Sequence, residues 1–199
     1  MLPIMYYPTT TIFLDDNNDF LESLKVLEFS DKNIFTTNAN IAMDHINKEK
    51  SKMLIIPKIT NAETQDEYIQ HHLQNVKKRI FMPNKESEIS VLVIDYDMPQ
   101  IDGISFCKNL NKVNSNIYKI LLTGADKDDV ISEALESGCI DFFLPKSNTN
   151  TLNKLKETIK NGKEKYFNNV CKEFRTVLLE KRSSKENISF NKFTSNTRH

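Results

Sequence analysis

Four consecutive residues near the middle of the chain, Val91 to Ile94, are all β-branched or leucine. An unbroken apolar run of this length is the composition of a strand buried on both faces, as in a parallel sheet covered by helices on either side. The rest of the chain supplies both kinds of element in alternation. TTIFLD (10–15) reads as strand β1, and NNDFLESLKVLEF as helix α1, with Phe20, Leu24 and Leu27 at helical spacing and Asn17 or Asn18 as N-cap. NIFTT (33–37) is β2, and NANIAMDHINKE is α2, with Ile41, Ala42 and Ile46 on one face. The central run is β3 and GISFCKNL the helix α3; YKILLTG (118–124) is β4, and DKDDVISEALESG is α4, ended by Gly138. IDFFLPK (140–146) is β5, and TNTLNKLKETIK is α5, with Leu152, Leu155 and Ile159 in phase and Asn161-Gly162 as its stop. The alternation predicts an α/β fold, a (βα)5 doubly wound parallel five-stranded sheet with right-handed crossovers.

Two stretches lie outside this frame. Residues 50–88 form an insertion between α2 and β3, longer than a crossover connection needs, with a helix expected at about 63–80. Residues 163–182 carry Phe167, Val170, Phe174 and Val177 at spacings of three and four, which predicts an extra C-terminal helix with a docking face. The polar remainder, 183–199, is expected to be disordered. Charge is divided unevenly. From Lys160 onward ten Lys or Arg face four Glu, a net +6, so that with 27 basic and 27 acidic residues in all the first 159 carry −6. Three widely spaced cysteines without a CxxC pair argue against a disulfide framework or zinc site. With no apolar stretch of membrane-spanning length, a cytoplasmic protein is expected.

Every strand but the second ends in a residue with chemistry. β1 runs into Asp15-Asp16, β3 into Asp95, β4 into Thr123 and β5 into Lys146. In a parallel sheet these ends share one edge, where ligand crevices of open α/β folds lie. Three neighbouring carboxylates ionise together at a cost unless a hard divalent cation such as Mg2+ sits among them. A carboxylate can also attack phosphorus to give an aspartyl phosphate, a reaction that needs positioning and charge compensation more than covalent help.

The acidic pair in the first βα loop, D-x-x-M-P-x-x-D-G from Asp95 to Gly103, LLTG on β4 and FLPK on β5 together resemble the receiver domain of bacterial two-component response regulators, the CheY-like phosphoacceptor domain. The resemblance covers residues 9–49 and 89–161, giving a receiver domain at 9–161. It implies the flavodoxin-like strand order 2-1-3-4-5, with Asp95 as phosphoacceptor. It implies Mg2+ held by Asp15, Asp16, Asp95 and the backbone carbonyl of Asp97. Thr123 and Lys146 would read the phosphoryl group and Phe143 would be the switch aromatic. The resemblance implies a phosphorylation switch rather than an enzyme, with only self-phosphorylation and self-dephosphorylation chemistry. A sensor histidine kinase or phosphotransfer protein would supply the phosphoryl group. Output would pass through protein contacts, including a homodimer through α4–β5–α5 or the 163–182 helix.

The sequence departs from the family pattern at three places. Pro145 precedes Lys146 and Ser147 follows it, where receivers usually have Lys-Pro, so a trans bond is expected there. Gly138 stands eight residues before Lys146, one more than is common, and the 50–88 insertion is long. Two other readings compete. Asp95-Tyr96-Asp97 also opens haloacid-dehalogenase-type phosphohydrolases, with Asp97 as general acid/base, but the acidic pair then stands on the wrong side of the lysine in chain order. The basic tail could make a DNA-binding regulator, yet it carries no groove-reading motif, and nucleic acid is not expected as a partner.

Overall fold

A computed structural model describes residues 7–29, 31–50, 88–124, 128–147 and 150–172. By its contacts the chain divides into two units, Met1–Met53 with Pro83–Asn168, and Leu54–Met82 with Asn169–His199. The first holds the sheet. Of the second, residues 169–172 are described, as the end of a helix. The expected helix at 63–80, Phe174, Val177 and the 183–199 tail lie outside the described residues.

Five parallel strands form one sheet in the order β2-β1-β3-β4-β5. The strands are β1 (Thr10–Leu14), β2 (Lys32–Thr36), β3 (Ile89–Asp95), β4 (Tyr118–Thr123) and β5 (Phe142–Pro145). The helices are α1 (Asn18–Lys25), α2 (Ala39–Lys50), α3 (Gly103–Val113), α4 (Asp128–Glu136) and α5, residues 151–172. This is the (βα)5 alternation expected from the sequence, in the flavodoxin-like order that the resemblance implied.

The uninterrupted apolar runs are explained by two cores, one on each face. Ile12, Leu14, Leu92, Ile94 and Leu121 pack with Ala42, Ile46, Phe106, Leu110 and Ile131 on the side of α2, α3 and α4. Phe13, Val91, Val93, Ile120 and Leu122 pack with Leu21, Leu24, Leu155 and Ile159 on the side of α1 and α5. Alternate residues of each strand feed opposite cores, so β1, β3 and β4 have no polar face to expose.

Turn chemistry sets the element ends. Asn17 is the N-cap of α1, its side chain accepting the Phe20 N–H at 3.0 Å. Asn38 does the same for α2, accepting from Asn40 at 2.9 Å and Ile41 at 3.3 Å. Gly138 ends α4 as expected, at φ +66°. Its N–H donates to the Leu135 carbonyl at 3.0 Å, and the Cys139 N–H donates to Ala134 at 2.9 Å, which is the Schellman pattern. Asp102 caps α3, accepting from the Ser105 N–H at 2.8 Å and hydroxyl at 2.7 Å. Burial pushes the Asp102 carboxyl upward, but the Ser105 hydrogen bonds outweigh it and hold the pKa below its unfolded value of 3.8. Asp102→Ala is expected to cost about 1 kcal/mol, the usual worth of an N-cap. Because the folded pKa is depressed, that contribution is full above 3.8 and fades as pH falls through the folded value. Denaturant melts of the two proteins across this range should converge at low pH.

Three expectations are corrected. Helix α1 does not reach Phe29 but stops at Lys25. Glu28 takes a left-handed φ of 45°, and Leu27 and Phe29 turn back onto the core. Ile41 does not share the buried face of α2; it is exposed, while Ala42 and Ile46 are buried. Most consequentially, Asn161-Gly162 does not stop α5, which runs unbroken through 172, so the boundary expected between 161 and 163 falls inside one helix. Gly162 is a packing residue there, since a Cβ would stand 2.5 Å from Tyr118 Cδ1. Beyond it, Lys163, Tyr166 and Phe167 are buried. Lys163 pairs with Asp31 at 2.6 Å, and the Tyr166 and Tyr7 hydroxyls both donate to the carboxylate of Glu88. Cys107, Cys139 and Cys171 are free and buried, as the absence of a disulfide pattern led one to expect.

Candidate functional site

Strand register brings the polar ends together. Leu14 pairs with Ile94, so Asp15 and Asp95 are the next residues on adjacent strands. Asp95 pairs with Leu122 and Thr123 with Pro145, which puts Thr123 and Lys146 one step further along the same edge. The backbone locks this geometry. Tyr96 N–H donates to the Leu122 carbonyl at 2.8 Å, and Lys146 N–H donates to the Thr123 carbonyl at 2.7 Å. Thr151, at the start of α5, donates its hydroxyl to the Pro145 carbonyl at 2.5 Å and so ties that helix to the end of β5. The Lys146–Ser147 bond is trans, as expected from the missing proline.

Asp15, Asp95 and Thr123 are buried, while Asp16 is exposed. One oxygen from each of Asp15, Asp16 and Asp95 lies within 4.8 Å of the others. The cluster is thus walled by protein on two carboxylates and open to water on the third. Lys146 bridges the buried pair, its Nζ 2.7 Å from Asp15 Oδ2 and 2.9 Å from Asp95 Oδ1. Burial pushes the Asp95 carboxyl up, Asp15's charge adds to this, and Lys146 only partly offsets them. Burial draws the Lys146 ammonium down, but the two carboxylates more than compensate and its pKa is raised. The result is a buried acid held partly against its charged form beside a cation that is firmly charged.

The other site residues fall as follows. Asp97 lies two residues past β3 and is exposed. Phe143, paired with Leu121, is half-buried against the core under α2, α3 and α4. Two participants have no signature in the sequence. Asn17 donates its N–H to Asp15 Oδ1 at 3.0 Å, fixing that carboxylate from behind. The Phe20 ring lies under Lys146, with Nζ 4.7 Å from the ring centroid. Only an aromatic at the first turn after an acidic pair hints at this, and nothing in the sequence ties it to a lysine on the last strand.

Residues 53–160 match the response regulator receiver domain, a span that includes Asp95, Thr123 and Lys146 and leaves Asp15 and Asp16 to the structure. The chain is similar to a protein-glutamate methylesterase/protein-glutamine glutaminase of Hydrogenovibrio crunogenus, 29% identical over 94 residues, covering 47% of this chain and 23% of that protein. Among solved structures, the Legionella pneumophila response regulator LqsR superposes with a TM-score of 0.65 at 28% identity, covering 88% of this chain and 50% of that one. The signal receiver domain of an HD-domain protein from Pseudomonas fluorescens Pf-5 shares the fold at a TM-score of 0.55 and 16% identity, covering 84% and 96%. The chain therefore spans about a quarter of that curated relative and half of the Legionella protein. No helix among the described residues is long and apolar enough to cross a membrane. With the receiver model matching more than half of its length over the strands that carry Asp95, Thr123 and Lys146, this chain belongs to the response regulator receiver domain family of two-component systems.

Proposed function

We propose that the chain is a phosphorylation-dependent cytoplasmic switch that accepts a phosphoryl group on Asp95 from a histidine kinase or phosphotransfer protein. The observation carrying this reading is the bridged pair: a buried Asp95 with Lys146 at 2.9 Å and a second carboxylate, Asp15, on the same ammonium. Asp95 attacks phosphorus through a carboxylate oxygen. The new O–P bond forms as the donor's bond to phosphorus breaks, and the leaving group departs with the electron pair. Lys146 offers a compact cation and Thr123 a hydroxyl to the transferred oxygens.

The donor set suits Mg2+, because all its atoms are hard oxygens gathered within 4.8 Å of one another and one carboxylate is open to water. Asp15, Asp16, Asp95 and the carbonyl of Asp97 are the residues that would hold it. When bound, the ion neutralises charge gathering on the phosphoryl oxygens. Mg2+ is expected to raise the melting temperature of the wild-type protein at neutral pH. It should raise it less in Asp16→Asn, which keeps the buried pair intact. Incubation with acetyl phosphate and Mg2+, read by intact mass, should add one phosphoryl group, and chelation should prevent it. An unchanged mass with Mg2+ present would refute the reading.

Phosphorylation adds charge and acceptor oxygens at Asp95, drawing Thr123 and Lys146 toward it and letting Phe143 change its packing. The affected face is that of α4, β5 and α5. Val130 and Phe142 are exposed there, and a groove of about 550 Å³ runs between β5 and α5 over Tyr118, Phe142 and Pro145. Partner docking or a homodimer through this face is the output we infer. The phosphohydrolase alternative is less well supported, since Lys146 and Asp15 face Asp95 whereas Asp97 is exposed.

A further inference from the structure

We propose that Phe20 is the positioning residue for Lys146, the ring of α1 setting where the phosphoryl-reading ammonium of β5 stands. The inference rests on Asp95 being the phosphoacceptor and adds a residue to that site. A lysine has four rotatable carbons and a strongly hydrated head, so an exposed one samples many positions. The Lys146 side chain is 21% exposed, open enough to swing into water. Three contacts oppose that: Asp15, Asp95 and the face of Phe20, 4.7 Å from Nζ. The two carboxylates are the groups whose charge changes when a cation or a phosphoryl group arrives. The attraction of the ammonium to the ring's electron-rich face does not change with them. It is the one of the three that does not depend on the charge of either carboxylate.

The ring itself is held firmly. Asn17 donates its N–H to Asp15 Oδ1 at 3.0 Å, and its side-chain oxygen accepts the Phe20 N–H at 3.0 Å. The same turn therefore fixes the acid and the ring. Phe20 also packs on the core that includes Leu21, Leu144 and Leu155, joining α1 to β5 and α5 behind the site. Its contact with the site is with the Lys146 ammonium, and it acts through that residue.

The test uses the full chain with Phe20→Leu, which keeps an apolar side chain on the core but removes the π face, and Phe20→Tyr, which keeps both. In the wild-type protein labelled with carbon-13 at lysine, the Lys146 ε-methylene protons should be shifted upfield by the ring, without Mg2+ or donor. Phe20→Leu should lose that shift and accept phosphate from acetyl phosphate about three- to tenfold more slowly, the worth of a partly desolvated cation–π contact. Phe20→Tyr should restore both. An unshifted resonance in the wild type overturns the proposal. So does a Phe20→Leu rate equal to wild type, or a Phe20→Tyr rate as slow as that of Phe20→Leu, which would make the residue mere packing. A wild-type protein that shows the ring shift but takes no phosphate would instead refute Asp95 as acceptor.

Discussion

Asp95→Asn is expected to abolish phosphorylation under conditions in which the wild-type protein gains one phosphoryl group. The amide is close in size and keeps the strand end in place, but it is no nucleophile toward phosphorus. The same substitution should leave the metal-free protein more stable at neutral pH. Burial and the charge of Asp15 raise the Asp95 pKa, so the folded state resists its ionised form. For a raised acid, the favourable contribution is full below the unfolded value of 3.8 and is lost as pH rises through the folded value. The asparagine variant escapes that loss. Its melting temperature without Mg2+ should exceed the wild type's at pH 7, and the gap should close on acidification. A variant that still takes up phosphate, or that melts lower than wild type at pH 7, would contradict this account of Asp95.

Gly103→Ala should be the most damaging single-methyl change near the site. A Cβ at this position would overlap the Asp95 carbonyl oxygen and lie 2.8 Å from Leu121 Cδ1. The first obstacle is backbone, which cannot rotate away as a flexible side chain can. Relief requires α3 to move off β3, and the Gly103 N–H bond to the Tyr96 carbonyl at 3.0 Å would move with it. Overpacking of this kind costs about 1–3 kcal/mol. In a chain of this size each kcal/mol lowers the melting temperature by about 2–4 °C. Because the displaced strand end is that of Asp95, phosphate uptake should fall as well, even well below the melting temperature. A melting temperature within a degree of wild type would mean that the close approach of α3 is not as described.

The elements most legible in the sequence are those whose signal is local. Val91 to Ile94 announced a strand buried on both faces because each of its residues feeds one of two cores. Gly138 announced a helix end because a left-handed residue after α4 suits glycine. The polar strand ends announced a shared cluster because parallel register forces them onto one edge. What stayed hidden depends on contacts between distant segments. Gly162 carries the same local signal as Gly138, yet it lies inside α5 because Tyr118 needs the space. The burial of Lys163 depends on Asp31, in the loop before β2. Phe20 meets Lys146 only because α1 and β5 pack into the same core.

The central claim is that the phosphoryl group resides on Asp95. Borohydride reduces an acyl phosphate to the alcohol and leaves free carboxylates untouched. Treating the phosphorylated protein this way and mapping its peptides by mass should place homoserine where Asp95 stands, and only when Mg2+ and donor were both present. Reduction at another aspartate, or at none in a protein that has gained phosphate, would contradict the account.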